Sequence, residues 1–353
     1  MPKPDPLSFK DALDLAKAGA RPDVAWLVPL LTCSENDFPE LVAAADAVRS
    51  ASLGDGVYLR GLIEFSSVCR KNCSYCGLRS GNPVAKRYRL TPDQIVACAR
   101  ESKELGYGTV VLQSGEDPWF TAERLAEIIR RIKAETGLAI TLSIGERSEA
   151  DYRLWREAGA DRFLLRIETT DPQLFAALHP DDDLEQRKQC LDTLKKLGYQ
   201  LGSGVMVGLP GQTPEMLARD VIWLHELGAE MIGVGPFIPH PETPLKDAVG
   251  GTVPQTLRLV AVLRLVFPNA HLPATTAMGS LDPMGREKAL LAGANIVMPN
   301  VTPTDFRPSY EIYPGKICTG DAASHCRGCI AKRIEAIGRR VASGPGHVIR
   351  KKP

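Results

Sequence analysis

The sequence has no appreciable excess of charge of either sign: its 353 residues carry 43 Lys and Arg against 42 Asp and Glu, a formal net charge of +1. The lack of a sequence-wide field argues against nucleic acid or a membrane surface as the main partner. Nor does the chain contain a run of the ~18 uncharged apolar residues that a membrane-spanning helix needs. Its start, MPKPDPLSF, lacks a basic segment followed by an apolar one. Low-complexity linkers are missing too. These absences leave a chain expected to be cytoplasmic and monomeric. With 44% hydrophobic and 24% charged residues it is expected to be globular. The length suits one barrel of about 250 residues with extensions.

Between residues 57 and 298, short apolar or β-branched runs alternate with longer amphipathic segments, the pattern of repeated βα units. Strands are expected at 57–65, 109–113, 139–143, 162–168, 204–207, 231–234, 271–275 and 295–298. Helices are expected at 91–105, 121–136, 148–158, 184–197, 213–227 and 253–266, two of them opening on Thr-Pro, a cap followed by a helix-starting proline. Eight such units predict a (β/α)8 barrel of the TIM type; an open doubly wound sheet is the alternative. Three parts are expected: an N-terminal helical extension (1–52, helices at 9–17 and 39–50) capping the barrel's N-terminal region, the barrel (53–300), and a cysteine-containing C-terminal segment (301–353). That last part holds a helix at 330–341 and a solvated basic tail of Arg350, Lys351 and Lys352.

Nine cysteines in a reducing compartment are not expected to pair as disulfides. Cys33, Cys98 and Cys190 stand alone and read as small core residues. The other six form two triads, Cys69, Cys73 and Cys76 with spacing C-x3-C-x2-C, and Cys318, Cys326 and Cys329 with spacing C-x7-C-x2-C. Three thiolates in a loop after the first strand suit three corners of a cubane iron-sulfur cluster, leaving one iron open at the barrel face where substrate sites are built. Structural zinc is the bland alternative, but it prefers four protein ligands, and no fourth Cys or His lies near the first triad. At the second triad His325 supplies a possible fourth zinc ligand.

Polar residues spaced by two on apolar strands mark a barrel lumen. Arg166 with Glu168, Thr141 with Ser143, and Arg60 with Glu64 obey that rule, and Gln113 and Thr275-Thr276 end strands. The plain reading is an Arg-Glu network tying the barrel together. The gathering of such positions near strand ends favours a site. His240 reads as a proline-flanked turn, and Trp119 and Phe120 as packing for the 116–117 loop.

The C-x3-C-x2-C triad with Tyr75 before its third cysteine, on a βα barrel, resembles the radical S-adenosylmethionine superfamily. The resemblance implies a 4Fe-4S cluster whose open iron chelates S-adenosylmethionine and whose electron splits it to a 5'-deoxyadenosyl radical. It implies that Gly115 and Glu116 hold the cofactor's amino group, Glu168 its ribose, Arg187 its carboxylate and Met206 its adenine, with Tyr75, Ser114 and Ser143 also at the cofactor. Longer stretches, IEFSSVCRKNCSYCGLR (63–79), VLQSGEDP (111–118), MVGLPGQT (206–213), GPFIPHPETPL (235–245), PATTAMG (273–279) and YPGKIC (313–318), resemble the HydE family of FeFe-hydrogenase maturases. Biotin synthase and methylornithine synthase are its relatives.

That resemblance implies an iron substrate carrying carbon monoxide, cyanide and cysteine, supplied by HydG and passed toward the scaffold HydF, with an external one-electron reductant. The substrate pocket it implies comprises Arg60, Gln113, Thr141, Arg166, Thr275, Thr276, Tyr310 and Tyr313. Cys318, Cys326 and Cys329 match an auxiliary cluster site, commonly 2Fe-2S. One departure is Ile167, where the family carries His; alternation turns this residue toward the helix layer. Two other functions stay open: a related enzyme acting on an organic amino acid or sulfur compound, and an iron-sulfur electron carrier or scaffold.

Overall fold

A computed structural model describes residues 7–348; the basic residues 350–352 lie outside the described part. Three helices come first, α1 (Phe9–Lys17), α2 (Val24–Leu31) and α3 (Phe38–Leu53). The barrel follows as β1 (Gly56–Ser66), α4 (Pro92–Glu104), β2 (Thr109–Ser114), α5 (Ala122–Thr136), β3 (Ala139–Ser143), α6 (Glu149–Ala158), β4 (Arg162–Leu164), α7 (Pro172–Leu178), α8 (Leu184–Lys196), β5 (Gln200–Ser203), β6 (Met206–Val207), α9 (Pro214–Leu227), β7 (Met231–Ile232), β8 (Gly235–Pro236), α10 (Val253–Val266), α11 (Thr276–Leu281), α12 (Gly285–Leu291) and β9 (Ile296–Val297). Helix α13 (Ala323–Ala336) and strand β10 (Arg340–Ala342) end the described chain.

The strands pair in parallel around a closed ring. Pairing runs from β1 through β2, β3, β4 and β5 to β7. Met231 then bridges to His271, Pro273 to Ile296, and β9 returns to β1 through Tyr58↔Ile296 and Leu59↔Val297. The chain therefore forms the (β/α)8 barrel expected of it. Ladder-capable residues stop short at the C-terminal rim, where β6 and β8 pair only with each other.

Most helix starts follow from their caps. Thr91 and Thr252 each form a reciprocal capping box with a glutamine three residues on, and Thr121, Ser148 and Thr213 accept from the third helical backbone N–H. The outer faces of the strands and the inner faces of these helices share one continuous apolar core that includes Ile167 and Cys98.

Four expectations are corrected. The fifth strand begins at Gln200, because register with β4 (Arg162↔Gln200 to Leu164↔Gly202) outweighs the poor strand preference of Gln and Gly. Helix α2, an all-apolar stretch whose Asp23 cap accepts from Ala25 N at 2.6 Å, shows no amphipathic period and was not expected. The N-terminal helices pack on α9 and α10 of the helical layer. The barrel's N-terminal mouth is instead crossed by residues 344–347, whose carbonyls meet Thr109 and Arg162. Finally, the last helix starts at Ala323 and not at 330, buried along Ala323, Cys326, Ile330 and Ile334. Val341 lies in β10 beside the start of β1. No described helix is long and apolar enough to cross a membrane.

Candidate active site

The first cysteine triad lies in the loop that leaves β1 at the barrel's C-terminal rim. Arg87 ties this loop's carbonyls together, donating to Ser67 O at 2.7 Å, Leu78 O at 2.8 Å and Arg79 O at 2.7 Å. Asn82 donates to Gly77 O at 2.7 Å, and Ser74 Oγ to Ala177 O at 2.9 Å. Two glycines make the fold of the loop possible. A Cβ on Gly77 would stand 2.1 Å from Glu311 O and 2.5 Å from His240 Nε2, and one on Gly115 would stand 2.3 Å from Val68 O. His240 is thus buried against the cysteine loop, with its own Nδ1 accepting from Glu242 N.

Burial governs the three thiols. It pushes Cys69 and Cys73 up and Cys76 up to about 12, and each of Cys73 and Cys76 is raised further by its neighbouring cysteines. Three half-buried, mutually repelling sulfurs are poor free thiolates, whereas a polycationic metal cluster removes their protons and satisfies all three at once. The donor set fits an iron-sulfur cluster for that reason. Glu116 N already donates to Cys69 Sγ at 3.4 Å, the kind of amide contact that tunes cluster potential.

Beside the loop sits a buried charge network. Arg187 pairs with Glu146 and with Asp182 Oδ2 at 2.7 Å, and donates to Arg166 O at 2.9 Å. Lys71 pairs with Asp182 as well. Burial opposes ionisation of Asp182, but the nearby His179, the Lys71 hydrogen bond and the charge of Arg187 hold its carboxyl well below the usual range. Glu116 turns its carboxylate to Arg70 Nε at 3.1 Å and Glu146 N at 2.9 Å, and meets Cys69 through its backbone N–H.

The lumen next to the triad is lined by the expected polar residues. Arg166 Nη2 lies 2.9 Å from Glu168 Oε2 and donates to Val205 O at 2.7 Å. Glu168 has φ +65°, a left-handed conformation rare outside glycine. Arg166 Nε, Thr141 Oγ1 and Thr275 Oγ1 are buried and make no hydrogen bond within the described residues. Gln113 donates to Tyr310 OH at 3.3 Å. Met206 packs in a small apolar cluster with Leu178, Leu209 and Phe237, against which Tyr75 rests. Tyr313 is pushed up by burial and approached by Ser280 and Arg286. Ser114 Oγ donates to its neighbour's carbonyl at 2.7 Å, and Ser143 ends β3 in register with Gln113.

Arg60 does not join this group. It points into the lumen as alternation requires, but it is level with Thr109 at the start of β2, four residues or ~13 Å below Glu64. Its guanidinium contacts Met231 Sδ at 2.9 Å and Gly346 O at 3.2 Å, near the opposite mouth. Alternation reports face and not depth. Residues the sequence reading did not single out as site members are Lys71, Glu146, His179, Asp182, Asn300 and Lys316. His179 and Asp182 share the α7–α8 connection and the others come from separate segments, so no single spacing marks the set.

The second triad lines a cavity of about 80 Å³ whose walls also include Thr276, Arg286 and Asn300. Cys326 and Cys329 sit three residues apart on one face of α13. Cys318, at φ +62°, accepts from Arg286 Nη2 at 3.6 Å. Ligand atoms of Cys318, Asp321 and Cys326 lie within 4.8 Å of one another, close enough to hold a metal ion, whereas Cys329, exposed on α13, is not part of that group; His325 borders the same cavity.

Comparison with known proteins agrees with this geometry. Residues 63–224 match the family model for the Radical SAM superfamily. The chain is 49% identical over 311 residues to the [FeFe] hydrogenase maturase subunit HydE of Thermotoga maritima, covering 88% of this chain and 89% of that protein. It is 31% identical to 3-methylornithine synthase of Methanosarcina acetivorans over 276 residues, 78% of this chain and 77% of the relative. The crystal structure of methylornithine synthase (PylB) superposes with a TM-score of 0.80 at 28% identity, over 94% of this chain and 97% of that one.

Proposed function

Because the chain belongs to the radical SAM superfamily and, within it, to the family of the hydrogenase maturase HydE, it is a radical SAM enzyme, and we propose that it acts in assembly of the FeFe-hydrogenase active-site cluster. The observation that carries the reading is the position of Cys69, Cys73 and Cys76 at the barrel rim, beside a lumen with unpartnered buried polar groups at Thr141, Arg166 and Thr275. When bound, a 4Fe-4S cluster supplies the electron that splits S-adenosylmethionine into methionine and a 5'-deoxyadenosyl radical.

In this reading the three cysteines hold three irons. Ser114, Gly115, Glu116, Ser143, Glu168 and Arg187 surround the polar parts of S-adenosylmethionine, and Met206 with Tyr75 offers an apolar face for adenine. Arg187 is kept in place by Glu146 and Asp182, so its direction is set before the cofactor arrives. Gln113, Thr141, Arg166, Thr275, Thr276, Tyr310 and Tyr313 line the substrate volume. Arg166 is balanced by Glu168, but its free Nε–H and the unpartnered hydroxyls of Thr141 and Thr275 are donors that stabilise an anion in a low-dielectric lumen. That favours the iron complex bearing carbon monoxide, cyanide and cysteine that HydG would deliver, with HydF as recipient and an external reductant. Closed barrel walls keep water from the radical. Cys318, Cys326 and Cys329 are assigned to an auxiliary 2Fe-2S cluster, and the protein is taken to work as a cytoplasmic monomer.

The test is anaerobic. Reconstituted protein reduced with S-adenosylmethionine should yield 5'-deoxyadenosine, Cys73→Ala should yield none, and Cys326→Ala should keep basal cleavage. Incubation with the HydG product should then carry iron label into hydrogenase apo-protein. Label retention in the presence of active cleavage would exclude the maturation role, and absence of 5'-deoxyadenosine would exclude the radical chemistry.

A further inference from the structure

His179 is not accounted for by the assignments above. It lies 106 residues from Cys73 in the chain, yet its Nδ1 stands 3.4 Å from Cys73 Sγ. The ring is completely enclosed: it stacks on Phe175 with centroids 4.6 Å apart and meets the edge of Tyr75 at 5.4 Å. Tyr75 is the aromatic residue of the cysteine motif itself, so the motif builds one wall of the imidazole's pocket. Nε2 is buried and makes no hydrogen bond among the described residues. All of the ring's polar function is therefore directed through Nδ1.

Two acceptors compete for that Nδ1. Asp182 Oδ2 is also 3.4 Å away. For an oxygen acceptor this is beyond the usual 2.7–3.2 Å, whereas sulfur, being larger, accepts comfortably at that distance. Asp182 has little need of another donor, since Lys71 holds Oδ1 and Arg187 holds Oδ2. The same two cations argue against a separate metal ion on Cys73, His179 and Asp182, because they already occupy the carboxylate and repel a third positive charge.

On the reading that Cys73 ligates a cluster, we propose that His179 is a positioning residue for it: its Nδ1–H donates to Cys73 Sγ and thereby makes the cluster easier to reduce. A hydrogen bond to a ligating sulfur draws off negative charge and stabilises the reduced form. Asp182, paired with Arg187, stands 3.4 Å from the same Nδ1, so its charge favours the Nδ1–H tautomer without taking the hydrogen bond.

The experiment is an EPR-monitored redox titration of the anaerobically reconstituted full-length protein. His179→Phe keeps the stacked ring and removes the donor. It should shift the reduced-to-oxidised ratio at a given poise about tenfold toward oxidised, roughly 59 mV for a one-electron couple. His179→Asn places an N–H near the same point without the ring and should restore most of that shift. If the Phe variant titrates with the unsubstituted protein, or the Asn variant shifts as far as the Phe variant, the inference fails. The unsubstituted protein, labelled with ¹⁵N-histidine, gives a second measurement that needs no variant to assemble. Pulsed EPR of its reduced cluster should show a nitrogen coupling, and its absence overturns the inference while leaving the radical-enzyme reading intact. Failure of the unsubstituted protein to assemble any cluster overturns both.

Discussion

The ammonium of Lys316 and the carboxylate of Glu64 form an ion pair with side-chain exposures of 7% and 1%, joining β1 to the segment that reaches Cys318 two residues later. Asn300 donates to the other carboxylate oxygen at 2.7 Å, and Lys316 also lies 5.0 Å from the centre of the Tyr310 ring. Removing one partner of such a pair leaves an uncompensated buried charge, at a cost of roughly 3–5 kcal/mol. Lys316→Met should therefore lower stability by that order in urea denaturation. Adding Glu64→Gln should recover most of the loss. A double variant as unstable as the sum of both singles would show that the pair is not coupled.

Glu168 holds a left-handed backbone conformation while facing Arg166. For a residue with a Cβ this costs about 1–2 kcal/mol. Strain of this kind persists where the surroundings fix it, and here Glu168 N donates to Gly204 O at 3.0 Å while its carbonyl accepts from Met206 N at 3.2 Å. Glu168→Gly should relieve the strain and lose about 0.5–1 kcal/mol to the greater freedom of an unfolded glycine. Against Glu168→Ala, which loses the same ion pair with Arg166 but keeps a Cβ, Glu168→Gly should be more stable by about 1 kcal/mol or less, while both variants weaken S-adenosylmethionine binding. Calorimetric titration beside thermal unfolding separates the two. Unchanged affinity would remove Glu168 from the cofactor site.

Much of this architecture was legible because its signals are local. The βα period follows from continuous apolar strands between capped amphipathic helices, and the cysteine triads from spacing alone. Buried polar residues announce the lumen through alternation, but alternation carries no depth: Arg60 shares a face of β1 with Glu64 yet lies toward the opposite mouth. The start of helix α13 is hidden in the sequence because His325, Cys326 and Gly328 resemble a loop. Its helix is held by tertiary burial of Ala323, Cys326 and Ile330. The partners of the site, His179, Asp182, Glu146 and Lys316, are legible only in three dimensions.

Asp220 on α9 is fully buried and accepts from Thr170 N and Thr170 Oγ1, each at 2.6 Å, through Oδ1. Burial pushes its pKa up to about 7 from an ordinary 3.8. The Thr170 hydrogen bonds and Arg219 oppose that rise, and Asp171 adds to it. Between those two pH values the folded chain keeps a proton that the unfolded chain has lost, so stability falls as pH rises from about 4 to 7. Asp220→Asn preserves the acceptor at Oδ1 and removes the titration. Relative to the unsubstituted protein it should gain roughly 1–3 kcal/mol on going from about pH 5 to about pH 8. Urea midpoints at the two pH values are the measurement, and parallel pH slopes would refute the assignment.

At the other end of the barrel the carbonyl of Gly346 accepts from Arg60 at 3.2 Å and from Arg162 at 3.1 Å, and that of Pro345 accepts from Arg162 at 2.8 Å. Burial, with the like charge of Arg162 behind it, disfavours the Arg60 cation, and burial draws Arg162 down to about 10. The residues across this mouth thus provide the carbonyl dipoles that two enclosed guanidinium groups need. Deleting residues 343–353 should leave both under-satisfied and lower stability by roughly 2–4 kcal/mol. Replacing Arg60 by Met in the shortened chain should recover part of that loss, since an apolar side chain of similar length leaves no charge to solvate. A shortened chain with the full-length urea midpoint would mean that the carbonyls contribute nothing to holding these cations, and that water reaches them as readily from outside.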